Sequence, residues 1–343
     1  MTAVMNAVLA FRTFDKIYAW AAALFALAVG AIAAGLPAAA QTWPTRHITA
    51  IVPFGPGSGM DIVGRILVAR MSETLGQQVI IENIGGAGGS IAVSRAAKAE
   101  PDGYTIVLGG IDTFAQAPAL YKALAYNPAT DFVPILLVAE QPLVLAMRRT
   151  IPVEDLKGLA DYMRANRDKM QFGSTGLGSA PHLACTQLTA ALGTRLPHVT
   201  YRSSAPGLQD MITGNLDLYC PLAASVIPLL EAKSIKVPAV LSQQRSSLLP
   251  EIPTAAEQGY KDVDGYYWIA LFAPKGAPAL AVARLAEAAD KAIDAPATQT
   301  RLRDVGTTIM PPERRSAAYL QRFLVEEIAK WAVIIKASGV APN

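Results

Sequence analysis

The 343-residue chain is poor in the residue types that most chemistry needs, with two cysteines, three histidines and charged residues at only 17 %. His47, His182 and His198 show no metal-ligand spacing, and two thiols without a third ligand nearby do not make a zinc site. Cys185 and Cys220 allow at most one bridge, and only in an oxidising compartment; their separation along the chain leaves pairing open. Net charge is small, +3, and Lys and Arg are scattered, which argues against nucleic acid as a partner. The glycine-rich segments lack both the Gly-Lys-Ser/Thr ending of a phosphate loop and the Gly-x-Gly-x-x-Gly spacing of a dinucleotide site, so no cofactor is expected. Scarce charge does not mean disorder here. Apolar residues make up 52 %, enough buried surface to offset the entropy of ordering.

The apolar residues are unevenly placed. A run from Ile17 to Ala40 follows Arg12 and Lys16 and ends in Pro37-Ala38-Ala39-Ala40 before Gln41. A basic start, an apolar stretch and a small-residue end read as an export signal at 1–40, cleaved after Ala40. The rival reading is a membrane anchor, since the run is long enough to span a bilayer. No cysteine near Gln41 supports a lipid anchor. The remaining 303 residues exceed one small core and suit two domains.

After the leader the hydrophobic period switches repeatedly. His47 to Phe54 reads as a strand, the glycines at 55, 57 and 59 break it, and Met60 to Leu75 has helical spacing. Strands at 78–82 and 104–109 and a helix at 91–99 continue the alternation. A second unit follows Ala146, with helices at 153–167, 181–192 and 207–214 and strands at 199–201 and 216–219. An apolar strand returns at 267–273, followed by amphipathic helices at 278–293 and 316–337. This order argues for an α/β chain with a mainly parallel sheet, helices on both faces, and ligands gathered at the carboxyl ends of the strands. The last part reads as rejoining the first domain, which gives two chain crossings: domain 1 at 41–143 and 270–343, domain 2 at 144–269.

Three small-residue loops feed helix starts: Pro53 to Asp61, Gly85 to Ser90, and Ser174 to Ser179. Converging amides and a helix N-terminus favour an anion, held by partial charges that let it go again. The plainer alternative is that the glycines make tight turns and Asp61 favours the helix start. Ser179 and His182 raise the possibility of a hydrolytic pair, but Ser-x-x-His on one helical turn does not orient a nucleophile, and no Gly-x-Ser-x-Gly elbow exists. Asp112, at the end of the third strand, either caps the next helix or faces the cleft; there it would repel an anion and attract an ammonium or amide. Tyr267 and Trp268 read as core, with cleft walls as the alternative.

The motifs at Pro53–Asp61, Asn83–Ser90, Pro101–Thr105, Phe172–Ser179 with His182-Leu183-Ala184, Tyr201-Arg202, Leu249–Thr254, and Trp268 with Leu271–Pro274 follow one another in an ordered series. That series resembles the extracytoplasmic solute receptors of the tripartite tricarboxylate transporter family, the Bug receptors. Ser58 stands where the family's second glycine is usual, and Ile84-Gly85 where Arg-Pro is usual; Ser58 lacks a glycine's freedom to take positive φ. The resemblance implies a two-domain periplasmic binding protein type II fold with a hinged interdomain cleft that closes over a small carboxylate-bearing molecule, with no catalysis. It nominates Phe54, Gly57, Gly59, Met60, Asp61, Gly88, Gly89 and Ser90 from one lobe. From the other it nominates Ser174, Thr175, Gly178, Ser179, His182, Tyr201 and Asp217. Cys220 near the cleft floor is either a ligand contact or bridged to Cys185.

Two other classes stay open on sequence alone: a secreted serine hydrolase using Ser179 and His182, and a structural or signalling protein. The expected partners are a small organic acid and a membrane transporter or sensor, with the chain a periplasmic monomer.

Overall fold

A computed structural model describes residues 43–338, so the expected leader lies outside the described residues. In chain order the strands are β1 (Ile48–Val52), β2 (Val79–Asn83), β3 (Thr105–Gly110), β4 (Phe132–Pro142), β5 (Val144–Arg148), β6 (Phe172–Ser174), β7 (His198–Thr200), β8 (Leu218–Tyr219), β9 (Ile235–Val240), β10 (Tyr266–Pro274) and β11 (Thr308–Ile309). The helices are α1 (Gly59–Leu75), α2 (Ser90–Ala97), α3 (Ala117–Leu120), α4 (Leu156–Asn166), α5 (Ala180–Ala191), α6 (Ser204–Thr213), α7 (Ile227–Glu231), α8 (Ala279–Asp294), α9 (Pro296–Asp304) and α10 (Ala317–Ser338). Among the described residues no helix is long and apolar enough to cross a membrane.

Two sheets organise the chain, one in the order β11-β4-β10-β3-β1-β2 and the other β7-β6-β8-β5-β9. The expectation of a mainly parallel sheet needs correction, because both sheets are mixed. In the first, β1 pairs β2 and β3 in parallel, whereas β10 runs antiparallel between β3 and β4, and β11 is antiparallel to β4. In the second, β6 is parallel to β7 and β8, and β5 is antiparallel to β8 and β9. The parallel halves come from local strand, helix, strand units, whose alternation is visible in sequence. The antiparallel halves join segments far apart in sequence, such as Leu108 opposite Leu271, and no local period announces such a partner. β4 escapes a sequence reading for the same reason, and Pro134 within it sits beside a register shift in its pairing with β10.

The chain crosses between the sheets at Leu143, between β4 and β5, and returns at Gly265, just before β10. The crossings are bonded: the Leu143 amide donates to the Gly265 carbonyl at 2.7 Å, and Leu241 and Gly265 complete the set at 2.8 and 2.7 Å. The first core is built around Phe114, stacked on Phe272 at 4.0 Å and tilted against Phe132. The second packs Val144, Ala146, Leu208, Met211 and Leu216 around the fully buried Tyr219.

Candidate ligand cleft

The first glycine loop leaves β1 and turns directly into α1. Ser58 caps that helix from an extended conformation (φ −70°, ψ 153°), its hydroxyl accepting from the Asp61 amide at 3.3 Å. The positive φ falls on Gly57 (+76°), so serine in place of the second glycine costs no backbone strain. Asp61, buried, turns back onto its own loop. Its carboxylate accepts from the Gly57 amide at 3.0 Å, Arg65 Nε at 3.0 Å and the Asn83 side-chain amide at 2.9 Å. Asn83 also donates to the Phe54 carbonyl at 2.9 Å, fixing the loop to the end of β2.

In the second loop Gly88 and Gly89 are left-handed, the Gly89 amide donates to Gly86, and the Ser90 hydroxyl donates to the Ala87 carbonyl at 2.7 Å. This loop meets the other lobe. A Cβ on Gly176 would lie 2.9 Å from the Gly88 nitrogen, and the Tyr121 hydroxyl, beside the loop, donates to the Leu177 carbonyl at 2.5 Å.

Ser179 caps α5 as Ser58 caps α1, accepting from the His182 amide at 3.4 Å, while its own proton goes to the Gly176 carbonyl at 2.8 Å. The Gly178 amide donates to His182 Nδ1 at 3.3 Å. The Ser179 hydroxyl is thus committed to backbone rather than to the His182 ring. Ser174 Oγ lies 2.7 Å from His198 Nε2, and the His182 and His198 rings stand 4.6 Å apart, with His198 stacked on Phe172. Burial, with His198 adjacent, pushes His182 down to about 4, and burial lowers His198 as well. Two histidines that the sequence leaves far apart therefore form one neutral cluster behind the loop. Among the described residues no group of three or more His, Cys, Asp or Glu side chains could hold a metal.

Two nominated residues lie away from the loops' meeting point. Tyr201 donates to Asp210 at 2.8 Å, and burial together with that carboxylate pushes its hydroxyl up to about 12. Asp217 is bound by Arg148 Nε at 2.6 Å and the Gln171 amide at 2.8 Å. Cys185 and Cys220 form a disulfide, which decides between the two readings of Cys220 and ties α5 to the segment after β8.

Where the loops converge, a cavity of about 20 Å³ is lined by Phe54, Ser58, Gly59, Met60, Asp112 and Tyr267 from the first lobe and Thr175, Pro181, Ser204 and Leu222 from the second. Phe54, Gly59, Met60 and Thr175 are thereby brought together from the nominated set; the others, Tyr201 and Asp217 apart, belong to the loops and helix starts around them. Such a volume suits about one water, so the two lobes meet closely here. Gly59 permits this closeness, because a Cβ there would stand 2.5 Å from Leu222 Cβ. The wall also holds Ser204, Pro181 and Leu222, which sequence reasoning missed. Ser203, just before α6, repeats the serine-first pattern of α1 and α5 and offers a signal for Ser204 beside it; Leu222 offers none. A larger cavity, about 490 Å³, lies elsewhere, between α5 and the end of α10, and none of the three loops lines it apart from His182 next to the third.

Asp112 faces the convergence point. A wide π-helical turn at Ile111–Gln116 presents it, and its Oδ1 accepts from the Tyr267 hydroxyl at 2.7 Å and the Thr113 amide at 2.8 Å. Burial pushes its carboxyl up to about 6, opposed by the Tyr267 hydroxyl and the amides of Thr113 and Ala180. Tyr267 thus proves a cleft wall, whereas Trp268, one residue on and on the opposite face of β10, is buried and donates to Glu327 at 3.0 Å.

Comparison with known proteins places this geometry. A curated relative in Agrobacterium vitis, the UPF0065 protein in the TAR-I ttuE-ttuC' intergenic region, is 35 % identical over 303 residues, 88 % of this chain and 87 % of its own. The structure of the periplasmic binding protein BugD superposes with TM-score 0.85 at 35 % identity, covering 88 % of this chain and all of its own. MatC from Rhodopseudomonas palustris, solved with malate, gives 0.82 at 35 % identity over 85 % of this chain and all of its own. An R. palustris protein solved with adipate gives 0.82 at 33 %, over 88 % of this chain and all of its own. These likenesses bear out the two-domain binding-protein fold. The profile of the tripartite tricarboxylate transporter family receptors matches residues 63–340, and the chain belongs to that family of solute-binding proteins.

Proposed function

We propose that the chain is a periplasmic receptor, exported by a leader cleaved near Ala40, that captures a small carboxylate-bearing metabolite between its lobes and presents it as a monomer to a membrane transporter or sensor. In this reading the lobes are 41–143 with 270–343, and 144–269. The observation that carries it is the convergence of two serine-capped helix starts, α1 and α5, on one cavity walled by both lobes. Helix starts offer positive partial charge to an anion, and closure strengthens it by excluding water. The solved relatives with malate and with adipate carry small carboxylic acids, the class proposed here. Phe54, Gly59, Met60 and Thr175 would line the ligand, with Gly57, Asp61, Gly88, Gly89, Ser90, Ser174, Gly178, Ser179 and His182 shaping the loops that hold it. Ser179 acts as a cap, and no bond-breaking step is assigned to it.

A thermal-shift screen of organic acids tests this. A true ligand at a hundred times its Kd should add about 2.7 kcal/mol of stability. Absence of a shift with every acid tried would count against the receptor reading.

A further inference from the structure

We infer that the cleft takes an acid that also bears a protonated amine, and that Asp112 is the residue that selects it. The inference rests on the receptor reading above and goes beyond it by naming the ligand's second functional group. Asp112 is 1 % exposed; Tyr267 and Thr113 hold its Oδ1, the Ala180 amide at the start of α5 also favours the carboxylate, and its Oδ2 makes no full hydrogen bond. The residue lines the cavity between the lobes, as does Thr175, whose buried hydroxyl oxygen is also unpartnered.

The cavity wall contains no lysine or arginine, so its one formal charge is the Asp112 carboxylate. With its carboxyl pushed up only to about 6, mainly by burial, Asp112 is ionised at pH 7.5. A buried carboxylate oxygen without a full hydrogen bond raises the free energy of the closed form, and a ligand that donates to it lowers that free energy. A plain dicarboxylate does the opposite, bringing a second negative charge against the first. An ammonium group supplies a charge-assisted hydrogen bond that a hydroxyl or amide matches only weakly. The helix starts of α1 and α5 and the carboxylate of Asp112 thus offer opposite signs within one small space, complementary to an amino-carboxylate.

Titration calorimetry at pH 7.5 with two matched series tests this: propionate, lactate and alanine; glutarate, 2-hydroxyglutarate and glutamate. In the wild type, the amino member of at least one series should bind ten-fold or more tightly than its hydroxy and unsubstituted counterparts. In Asp112→Asn, which keeps the shape and an acceptor for Tyr267, that preference should vanish. If the asparagine variant misfolds by circular dichroism, Asp112→Ser serves the same comparison. Binding of the plain acids as tightly as the amino acids, or a preference unchanged in the variant, overturns the inference and leaves the receptor reading standing. No binding by any member overturns both.

Discussion

On the first-lobe side of the cleft, the loop entering α1 is held by charge: the buried Asp61 carboxylate gathers the Gly57 amide, Arg65 and Asn83. On the second-lobe side, the loop entering α5 has the same serine cap but is held by neutral groups, Ser174 against His198, Gly178 against His182, and the Cys185–Cys220 bridge behind them. The same helix start is produced twice with different supports. A carboxylate fixes several donors at once and sets a single loop shape, whereas a cluster of weak neutral bonds needs a covalent tie to keep its wall in place. The two sides should therefore fail under different stresses.

Removing the tie gives the largest expected effect. Replacing Cys185 and Cys220 together by alanine releases a constraint across a separation of 35 residues and should cost about 3 to 4 kcal/mol in unfolding free energy. Denaturant unfolding of the variant measures it. A loss under about 1 kcal/mol would mean the neutral cluster holds the second wall unaided.

Acid gives the next effect and separates the two sides by titration. His182 is held near 4 by burial and by His198, below the roughly 6.5 of an unfolded histidine. The unfolded chain then binds more protons in between, so stability is complete above about 6.5 and falls as pH drops through 4. That linkage amounts to about 3 kcal/mol, and it should disappear from the pH dependence of His182→Gln while the remainder of the acid profile persists. Identical acid profiles for the variant and the wild type would show that the histidine cluster is not what fails in acid.

The first side should respond to loss of charge. Asp61→Asn keeps the volume but leaves one acceptor oxygen where the carboxylate has two serving three donors; Arg65 is half exposed and contributes little. About 2 kcal/mol of stability should go, with weaker binding of any acid, because the loop loses the charge and one of the two oxygens that fix its shape. Titration calorimetry beside denaturant unfolding tells loop shape from global stability.

Much of this arrangement was legible in sequence, and the exceptions share a cause. The serine and glycine positions that start α1 and α5 act through bonds within four residues, so Pro53 to Asp61 and Ser174 to Ser179 read correctly as loops feeding helices. The nomination of Asp61 gives no hint of its bond to Asn83, because that partner is 22 residues away on another strand. The π-helical turn that presents Asp112 has no local period to announce it, and the packing of Leu222 against Gly59 depends on both lobes meeting. Tyr267 and Trp268 are adjacent aromatic residues, and only the face of β10 decides which one sees the cleft.

The smallest effect is the most direct test of symmetry. Ser58→Ala and Ser179→Ala each delete one side-chain acceptor at a helix start, and each should cost about 1 kcal/mol. Ser179 also donates to the Gly176 carbonyl and so holds the turn that lies against Gly88. Its loss should loosen closure as well as the helix, whereas Ser58 shows only its accepting bond. Ser179→Ala should therefore weaken acid binding more than Ser58→Ala at equal loss of stability. Equal affinities in the two variants would show that the caps act only on their own helices, and that closure is governed by the lobe contacts at Gly59 and Tyr121.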